Sequence, residues 1–342
     1  MNIRRIAELA GVSVATVSRV FNHPERVLPE TRERVLAVTR EHNFTPNWFA
    51  RGLTLGATKT IALLIPAIDS YLSQNIISGV ETVAGNKGYV VLFCQTHGDQ
   101  EVEFDFLKLM KTRKVDGIIQ VQSQLSETDF HEPLSLNMPR VHIGKNQDCG
   151  CHMVCYLDYE EAAFRLVKHL LTLGHRYISL LYDDKRDGEL ADEMESGLKR
   201  AGREVQCEAH LSIFRAEDSA QGGYRAFQRM VQKGTIPDVL VTAGDLQAIG
   251  ILKAARDGHI SIPEDMALAC FNDSPVCSVV SPAITSVEMP AAKLGMAAAR
   301  LLFDSIEDDT RDPDILQEMI LQPKLKIRES CGNKTGIFEL FV

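Results

Sequence analysis

One arginine is set apart by its neighbours. In the run Ser13-Val14-Ala15-Thr16-Val17-Ser18-Arg19-Val20-Phe21-Asn22, Val17, Val20 and Phe21 recur at i, i+3 and i+4, the spacing of a buried helical stripe. The opposite face then carries Val14, Ala15, Ser18, Arg19 and Asn22. A guanidinium on the outward face of a short helix can form a bidentate contact with O6 and N7 of guanine in the major groove. Val14 and Ala15 are small and apolar, so they can touch thymine methyls but offer no hydrogen bond. Thr16, Ser18, Asn22 and the helix N-terminus suit phosphates, which fix register without reading sequence. Taken alone, the same run also fits a small helical hairpin whose Arg19 is merely solvated.

Other residue clusters promise less. Cys149, Cys151, His152 and Cys155 stand close together, but their C-x-C-x3-C spacing is loose for structural zinc and no second pair lies at a standard distance. We read them as a loop and a following strand with reduced thiols. The sequence contains no G-x-x-x-x-G-K-[ST], H-E-x-x-H or G-x-S-x-G motif, and no G-x-G-x-x-G follows a strand, since Gly79, Gly85 and Gly88 lie in or at the end of a helix. Asp183-Asp184 and Asp308-Asp309 read as solvated loops. No enzymatic activity, metal or cofactor is expected.

The elements that must position Arg19 are short. Residues 3–10 form a helix with Ile6, Leu9 and Ala10 on one face, and Gly11 ends it, because glycine tolerates the left-handed conformation of a sharp turn. Ser13 is a suitable N-cap for a second helix over 14–22. A third, 29–43, has Pro29 near its start and turns Val35 and Val38 inward. Two short helices and a tight turn, with a basic outward face on the second, make a helix-turn-helix.

From residue 61 the pattern becomes strand-helix alternation. Strands are predicted at 61–67, 89–95, 117–122 and 140–144, with helices near 73–87 and 101–114. A second series has strands near 177–183, 238–243 and 266–271 and helices near 160–173, 190–201, 219–233 and 246–257. This is parallel α/β architecture in two similar halves.

Composition agrees. The 342 residues, 45% hydrophobic and 24% charged, suit two or three globular domains. The run Ile61 to Ile68 is far too short to span a bilayer. No signal-peptide core follows Met1, so a cytoplasmic location with free thiols, away from membranes, is expected. The net charge of −9 is unevenly spread: residues 1–59 hold nine Lys/Arg against five acids, leaving a head of +4 on a body of −13. A basic head on an acidic body suits a module that meets phosphates while the body avoids them.

The run from Gly11 to Asn22 closely resembles the head of the lactose-repressor (LacI/GalR) family. Thr31-Arg32-Glu33-Arg34-Val35 and Phe44-Thr45-Pro46-Asn47 resemble the family's next signatures, and Pro46-Asn47, Ala50 and Leu53 its hinge. The resemblance covers nearly the whole chain. It implies an α/β protein with an N-terminal all-α helix-turn-helix head and a periplasmic-binding-protein-like body of two parallel α/β subdomains that close on a ligand. It implies DNA contacts from Val14, Ala15, Thr16, Ser18, Arg19, Asn22, Asn47, Ala50 and Leu53. Val14 and Ala15 match the positions that set operator preference, and Leu53 matches a leucine that wedges into the minor groove. Gly52 weakens that hinge by about 1 kcal/mol relative to alanine, which fits a segment ordered only when bound.

The ligand pocket implied by the resemblance departs from the sugar-binding pattern. The first-half aspartate falls on Gly144, next to Lys145. An arginine falls on Leu190, the aromatic wall on Asp218, an asparagine on Gly244 and an aspartate on Asn272. Tyr71 and Leu72 stand where aromatic contacts are common. The implied effector set is Tyr71, Leu72, Lys145, Leu190, Asp218, Asp245 and Asn272, with Asp245 equally readable as an N-cap. Sugars are discriminated by buried hydrogen bonds that this set lacks. Either a different polar ligand or a vestigial site follows.

The resulting division is a helix-turn-helix domain over 1–45, a hinge over 46–58, a body over 59–330 and a tail over 331–342. Within the body the first subdomain takes 59–157 and 288–318, and the second 158–287 and 319–330. The strand at 284–289 is expected to return the chain to the first half, with helix 291–306 belonging there. The expected partners are double-stranded operator DNA, a small-molecule effector and a second copy of the chain, because the tail is too short for a tetramerising heptad segment. A ligand-responsive repressor on a pseudo-palindromic operator is the leading reading. The alternative is a DNA-bound regulator whose body engages a protein co-regulator.

Overall fold

The computed structural model describes residues 2–44, 57–123, 125–126, 138–145, 151–183, 190–307 and 315–332. The head is three helices, α1 (Ile3–Ala10), α2 (Val14–Asn22) and α3 (Pro29–Glu41), with a 3-10 turn at Pro24–Arg26. Asn2 caps α1 by accepting from the Arg5 amide at 3.0 Å. Gly11, at φ +62°, lets its own N–H reach back to the carbonyls of Ala7 and Glu8. Ser13 then accepts from the Thr16 amide at 3.1 Å and starts α2. Ile6, Ala7, Ala10, Val17, Val20 and Val35 form the buried core of the head, with Phe21, Val38 and Phe44 packed on it. Each fully buried valine or isoleucine there contributes about 1.5–3 kcal/mol. Leu9 departs from expectation: it is 41% exposed, and Ala7 takes its place inside.

The body alternates strands and helices. Its first series is β1 (Thr60–Ile65), α4 (Tyr71–Asn86), β2 (Val90–Gln95), α5 (Gln100–Arg113), β3 (Gly117–Val121), β4 (Arg140–Ile143) and β5 (Met153–Leu157). The second is α6 (Tyr159–Thr172), β6 (Tyr177–Tyr182), α7 (Leu190–Val205), β7 (His210–Arg215), α8 (Ala220–Lys233), β8 (Val239–Thr242), α9 (Asp245–Asp257), β9 (Ala267–Asn272), α10 (Val276–Val279) and β10 (Thr285–Glu288). The chain then runs through α11 (Ala291–Glu307), β11 (Gln317–Leu321) and β12 (Lys324–Lys326) to a 3-10 turn at Glu329–Cys331.

Two sheets result, ordered β11-β5-β4-β3-β1-β2 and β12-β10-β9-β8-β6-β7. All pairings are parallel except β10 with β12. The central strands are buried on both faces, which is why β1 reads as the unbroken run TIALLI. In each sheet the strand order reverses around the first strand, β1 or β6, and the crevice outside the carboxyl ends of such strands is where open α/β sheets bind ligands.

One expected placement is corrected. The strand at 285–288 does not join the first half: it pairs with β9 and β12 in the second sheet, and the chain returns only through α11, which packs on α4. Likewise β11 stays paired with β5 in the first sheet as far as Leu321, beyond the residue 318 expected. The segments that link the sheets are therefore at 158, 289–290 and 322–323. Two of them are bonded together: Asp158 accepts from Gln322 Nε2 at 3.0 Å, and Arg165 donates to the Pro323 carbonyl at 2.9 Å. The close packing of α4 on α11 depends on Gly79 and Gly295, where any Cβ would collide with the facing helix backbone.

Candidate DNA-reading face and effector cleft

On α2 the inward stripe leaves Val14, Ala15 and Arg19 exposed and Thr16, Ser18 and Asn22 half-buried. Asn22 Nδ2 donates to Ser18 Oγ at 3.1 Å along one edge of the helix, and Ser13 Oγ lies 2.9 Å from Thr16 Oγ1 along the other. Arg5 pairs with Glu8 at 2.8 Å and Arg40 with Glu33 at 2.7 Å. The Arg19 guanidinium has no such partner among the described residues. It is therefore free to form a fork contact without first breaking an internal bond. Asn47, Ala50 and Leu53 lie outside the described residues.

In the body, the expected effector residues fall on or just after the carboxyl ends of strands or in the first turn of the helix that follows. Tyr71 opens α4 behind the Ser70 N-cap and is 36% exposed. Leu72 is half-buried and packs on the main core. Leu190 is 5% exposed within that same core. This removes Leu190 from the side chains that can meet a polar ligand, because its apolar body is already buried by its neighbours. The polar group that α7 supplies is Glu193, one turn further on, whose carboxylate accepts from Lys145 Nζ at 2.6 Å. Lys145 follows β4 of the first sheet and Glu193 belongs to the second half, so this ion pair bridges the two. Burial alone would lower the Lys145 pKa, but the hydrogen bond and charge of Glu193 outweigh it and hold the ammonium above its ordinary value.

Asp218 and Gly244 depend on each other. The Asp218 carboxylate lies against the Gly244 backbone where any side chain at 244 would stand. A glycine in place of the expected asparagine is thus what makes room for the carboxylate. Asn272 (φ +86°) and Asp273 (φ +56°) turn the chain sharply after β9, in a region that Asn and Asp tolerate better than other side chains. Asn272 Nδ2 donates to the Ala243 carbonyl at 3.2 Å, and Asp273 accepts from Arg328 at 2.7 Å. Burial would lower the Arg328 pKa, yet the hydrogen bond and charge of Asp273 raise it.

Asp245 is neither the N-cap nor a cleft residue. Gly244 holds the cap position of α9. The Asp245 carboxylate, 6% exposed, turns inward to accept from the Cys270 and Cys277 thiols at 3.2 and 3.1 Å and from the Ser274 amide at 3.0 Å. Burial pushes its pKa up, and those hydrogen bonds only partly offset this.

The description "Bacterial regulatory proteins, lacI family" matches residues 2–47, and "Periplasmic binding protein-like domain" matches 167–331. The NTD biosynthesis operon regulator NtdR of Bacillus subtilis (strain 168) is 32% identical over 331 residues, 96% of this chain and 99% of that one. Catabolite control protein A of Priestia megaterium is 28% identical with the same coverage. The chain belongs to the LacI family.

The crystal structure of the Lac repressor dimer bound to operator and an anti-inducer shares its fold, with a TM-score of 0.83 at 22% identity over 97% of this chain and 99% of that one. A LacI-family regulator from Silicibacter pomeroyi gives 0.82 at 22% identity, over 97% and 99% of the two chains. As a LacI-family member the chain is a DNA-binding transcriptional regulator, a ligand-responsive repressor and not an enzyme. No described helix is long and apolar enough to cross a membrane.

Its departures from the family's sugar pattern have local causes. Gly144, at φ +151°, leaves no space for a side chain because the buried His142 ring fills it. Neither His142 nitrogen has a partner among the described residues. Burial first, then the charge of Arg140, pushes the His142 pKa down to about 4, so the ring is neutral at ordinary pH. Among the described residues, the cysteine run near residue 150 does not gather into a metal-ligating group. Cys149 lies outside the described residues, Cys151 donates to the Arg140 carbonyl at 3.0 Å, and Cys155 is fully buried with its pKa pushed to about 12 by burial. Sequence reasoning missed Glu193, Asp273, Arg328 and the Cys270–Cys277 pair. The acid one turn after Leu190 and the C-x6-C spacing beside Asn272 were the available signals.

Proposed function

We propose that the chain represses transcription in the cytoplasm as a homodimer on a pseudo-palindromic operator, its cleft taking a small polar effector other than a plain hexose. The observation that carries the dimer is β2. It lies at one edge of the first sheet, and Val90, Leu92 and Phe93 are 62%, 36% and 45% exposed on it. An open edge strand with that much apolar surface is costly to leave in water and well suited to a second copy. Two heads held by one two-fold axis read two related half-sites, which is why a two-fold protein selects a two-fold operator. Supporting the polar effector are Tyr71, Lys145, Asp218 and Asn272 at the carboxyl ends of the strands, with Glu193 opposite Lys145. Asn47, Ala50 and Leu53 carry the hinge contacts in this reading, with Leu53 entering the minor groove.

Sedimentation of the full chain tests the assembly. The parent protein sediments as a dimer at micromolar concentration, and Phe93→Asp shifts it to a folded monomer with weakened operator binding. A dimer unchanged by Phe93→Asp removes β2 from the interface. Calorimetry tests the cleft: glucose, galactose and ribose give no heat of binding at millimolar concentration, and a clear heat from any of them contradicts the polar-effector reading.

A further inference from the structure

Behind the cleft, at the end of β9, three side chains from three elements converge in the core. Cys270 comes from β9, Cys277 from the single turn of α10, and Asp245 from the start of α9. Their ligand atoms lie within 4.8 Å of one another, and all three residues are buried. The sulfurs are 3.6 Å apart, and Asp245 Oδ1 is 3.2 Å from Cys270 Sγ and 3.1 Å from Cys277 Sγ. Ser286 Oγ adds a hydroxyl 3.2 Å from Cys270 Sγ.

The geometry points to a metal site: a thiophilic d10 cation of the zinc class held by Cys270 Sγ, Cys277 Sγ and an Asp245 carboxylate oxygen. A tetrahedral zinc with ordinary bond lengths sets sulfur–sulfur edges of about 3.8 Å and sulfur–oxygen edges of about 3.5 Å. The observed edges are each within about half an ångström of these, so the cage closes on a cation with a small outward adjustment. A disulfide needs the sulfurs at about 2.05 Å, a far larger movement between a strand and a helix turn.

Charge supports the same assignment. Asp245 is a buried carboxylate that pairs with no described basic residue. Two of its donors, beside Ser274, are thiols, which are weak, and a buried charge without a strong partner is expensive. A divalent cation supplies that partner. Binding replaces the two thiol protons, which leave to solvent, with two metal–sulfur bonds, and no electron is transferred. Two thiolates, one carboxylate and a divalent cation leave one negative charge. Soft sulfur ligands favour zinc, cadmium or cuprous copper over magnesium or calcium.

The position gives the site leverage. The two cysteines bracket residues 271–276, which include Asn272 and Asp273, so a bound ion ties α10 to β9 across the turn that faces the cleft. Ser278 and Val279, on the single turn of α10 next to Cys277, are exposed, and this turn is the way in for the ion. The site itself stands on its own residues. Its influence on the effector rests on the cleft reading of the preceding subsection.

The test uses reduced, metal-stripped full-length protein titrated with Co2+ and then Zn2+. The expected result is about one Co2+ per chain with a thiolate charge-transfer band, displaced by Zn2+, with affinity at least about tenfold lower in Cys277→Ser. Cys151→Ser, distant from the trio, retains the band. Circular dichroism establishes that both variants are folded. Should Cys277→Ser fail to fold, zinc X-ray absorption of the parent chain decides instead, with two sulfur scatterers expected. Absence of uptake, a band that survives in folded Cys277→Ser, a band lost in Cys151→Ser, or a zinc spectrum without sulfur overturns the site. So does a parent chain that forms a Cys270–Cys277 disulfide and takes up no metal.

Discussion

The reading face of the head and the cleft of the body treat their polar side chains in opposite ways. On α2, Arg19 is exposed and unpaired among the described residues, so DNA can take it without displacing anything. In the cleft, Lys145 is held by Glu193, Asp273 by Arg328 and Asn272 by the Ala243 carbonyl. The head is poised, and the cleft is already occupied with itself. A ligand entering the cleft must therefore exchange internal bonds for its own. Because the Lys145–Glu193 pair spans the two halves, that exchange changes how the halves hold each other. A ligand can then bias one conformation over another without touching DNA.

The largest effect is expected at Arg328. Its side chain and that of Asp273 are 18% and 10% exposed. Arg328→Ala leaves a largely buried carboxylate without its partner, and we expect a loss of about 3 kcal/mol in chemical denaturation. A loss below about 1 kcal/mol would mean that the pair is screened like an exposed one and that the cleft is not tightly self-engaged.

Arg19→Ala sharpens the other side of the comparison. It removes no internal bond, so the fold should melt as the parent does. Operator affinity should fall by about 1–3 kcal/mol, and preference should relax at one symmetric G·C pair. Equal weakening on every sequence, with preference unchanged, would assign Arg19 to a phosphate instead.

The smallest effect is expected at Lys145. The side chain is 37% exposed, so solvent screening keeps the stability contribution of its bond to Glu193 under about 1 kcal/mol. The folded-state pKa of Lys145 is raised, so this contribution is fully present below the unfolded lysine pKa of about 10.4 and fades as pH climbs through the folded value. Lys145→Ala should lower stability by under about 1 kcal/mol, evenly across the neutral range, and flatten a small alkaline decline. A parent–variant difference that changes with pH near pH 6 would assign the effect to another group.

How much of this was legible beforehand depends on how local the cause is. The head could be read because its signals are adjacent in sequence: Asn2, Gly11 and Ser13 each act on residues within four positions. The buried central strands were equally plain, since β1 is apolar from Ile61 to Ile65 and β6 is interrupted only by Ser179. The edge strand β7 was missed because its residues are largely half-exposed or exposed and its pattern is weak. The strand character of 285–288 was visible, but nothing in its periodicity says which of two parallel sheets it joins. The cleft was legible only as positions. That Gly244 yields to Asp218 and that Asp245 turns toward Cys270 and Cys277 are contacts between residues distant in sequence. Such contacts leave no periodic trace.

Two copies of this chain are expected to present paired Arg19-bearing helices to one operator. Selection of binding sequences from a random duplex pool by the full-length protein, followed by sedimentation of the complex on the winning sequence, tests it directly. The account predicts a pseudo-palindrome with a G·C pair at symmetric positions in its two halves, bound by two chains. Recovery of an asymmetric site bound by a single chain would contradict it.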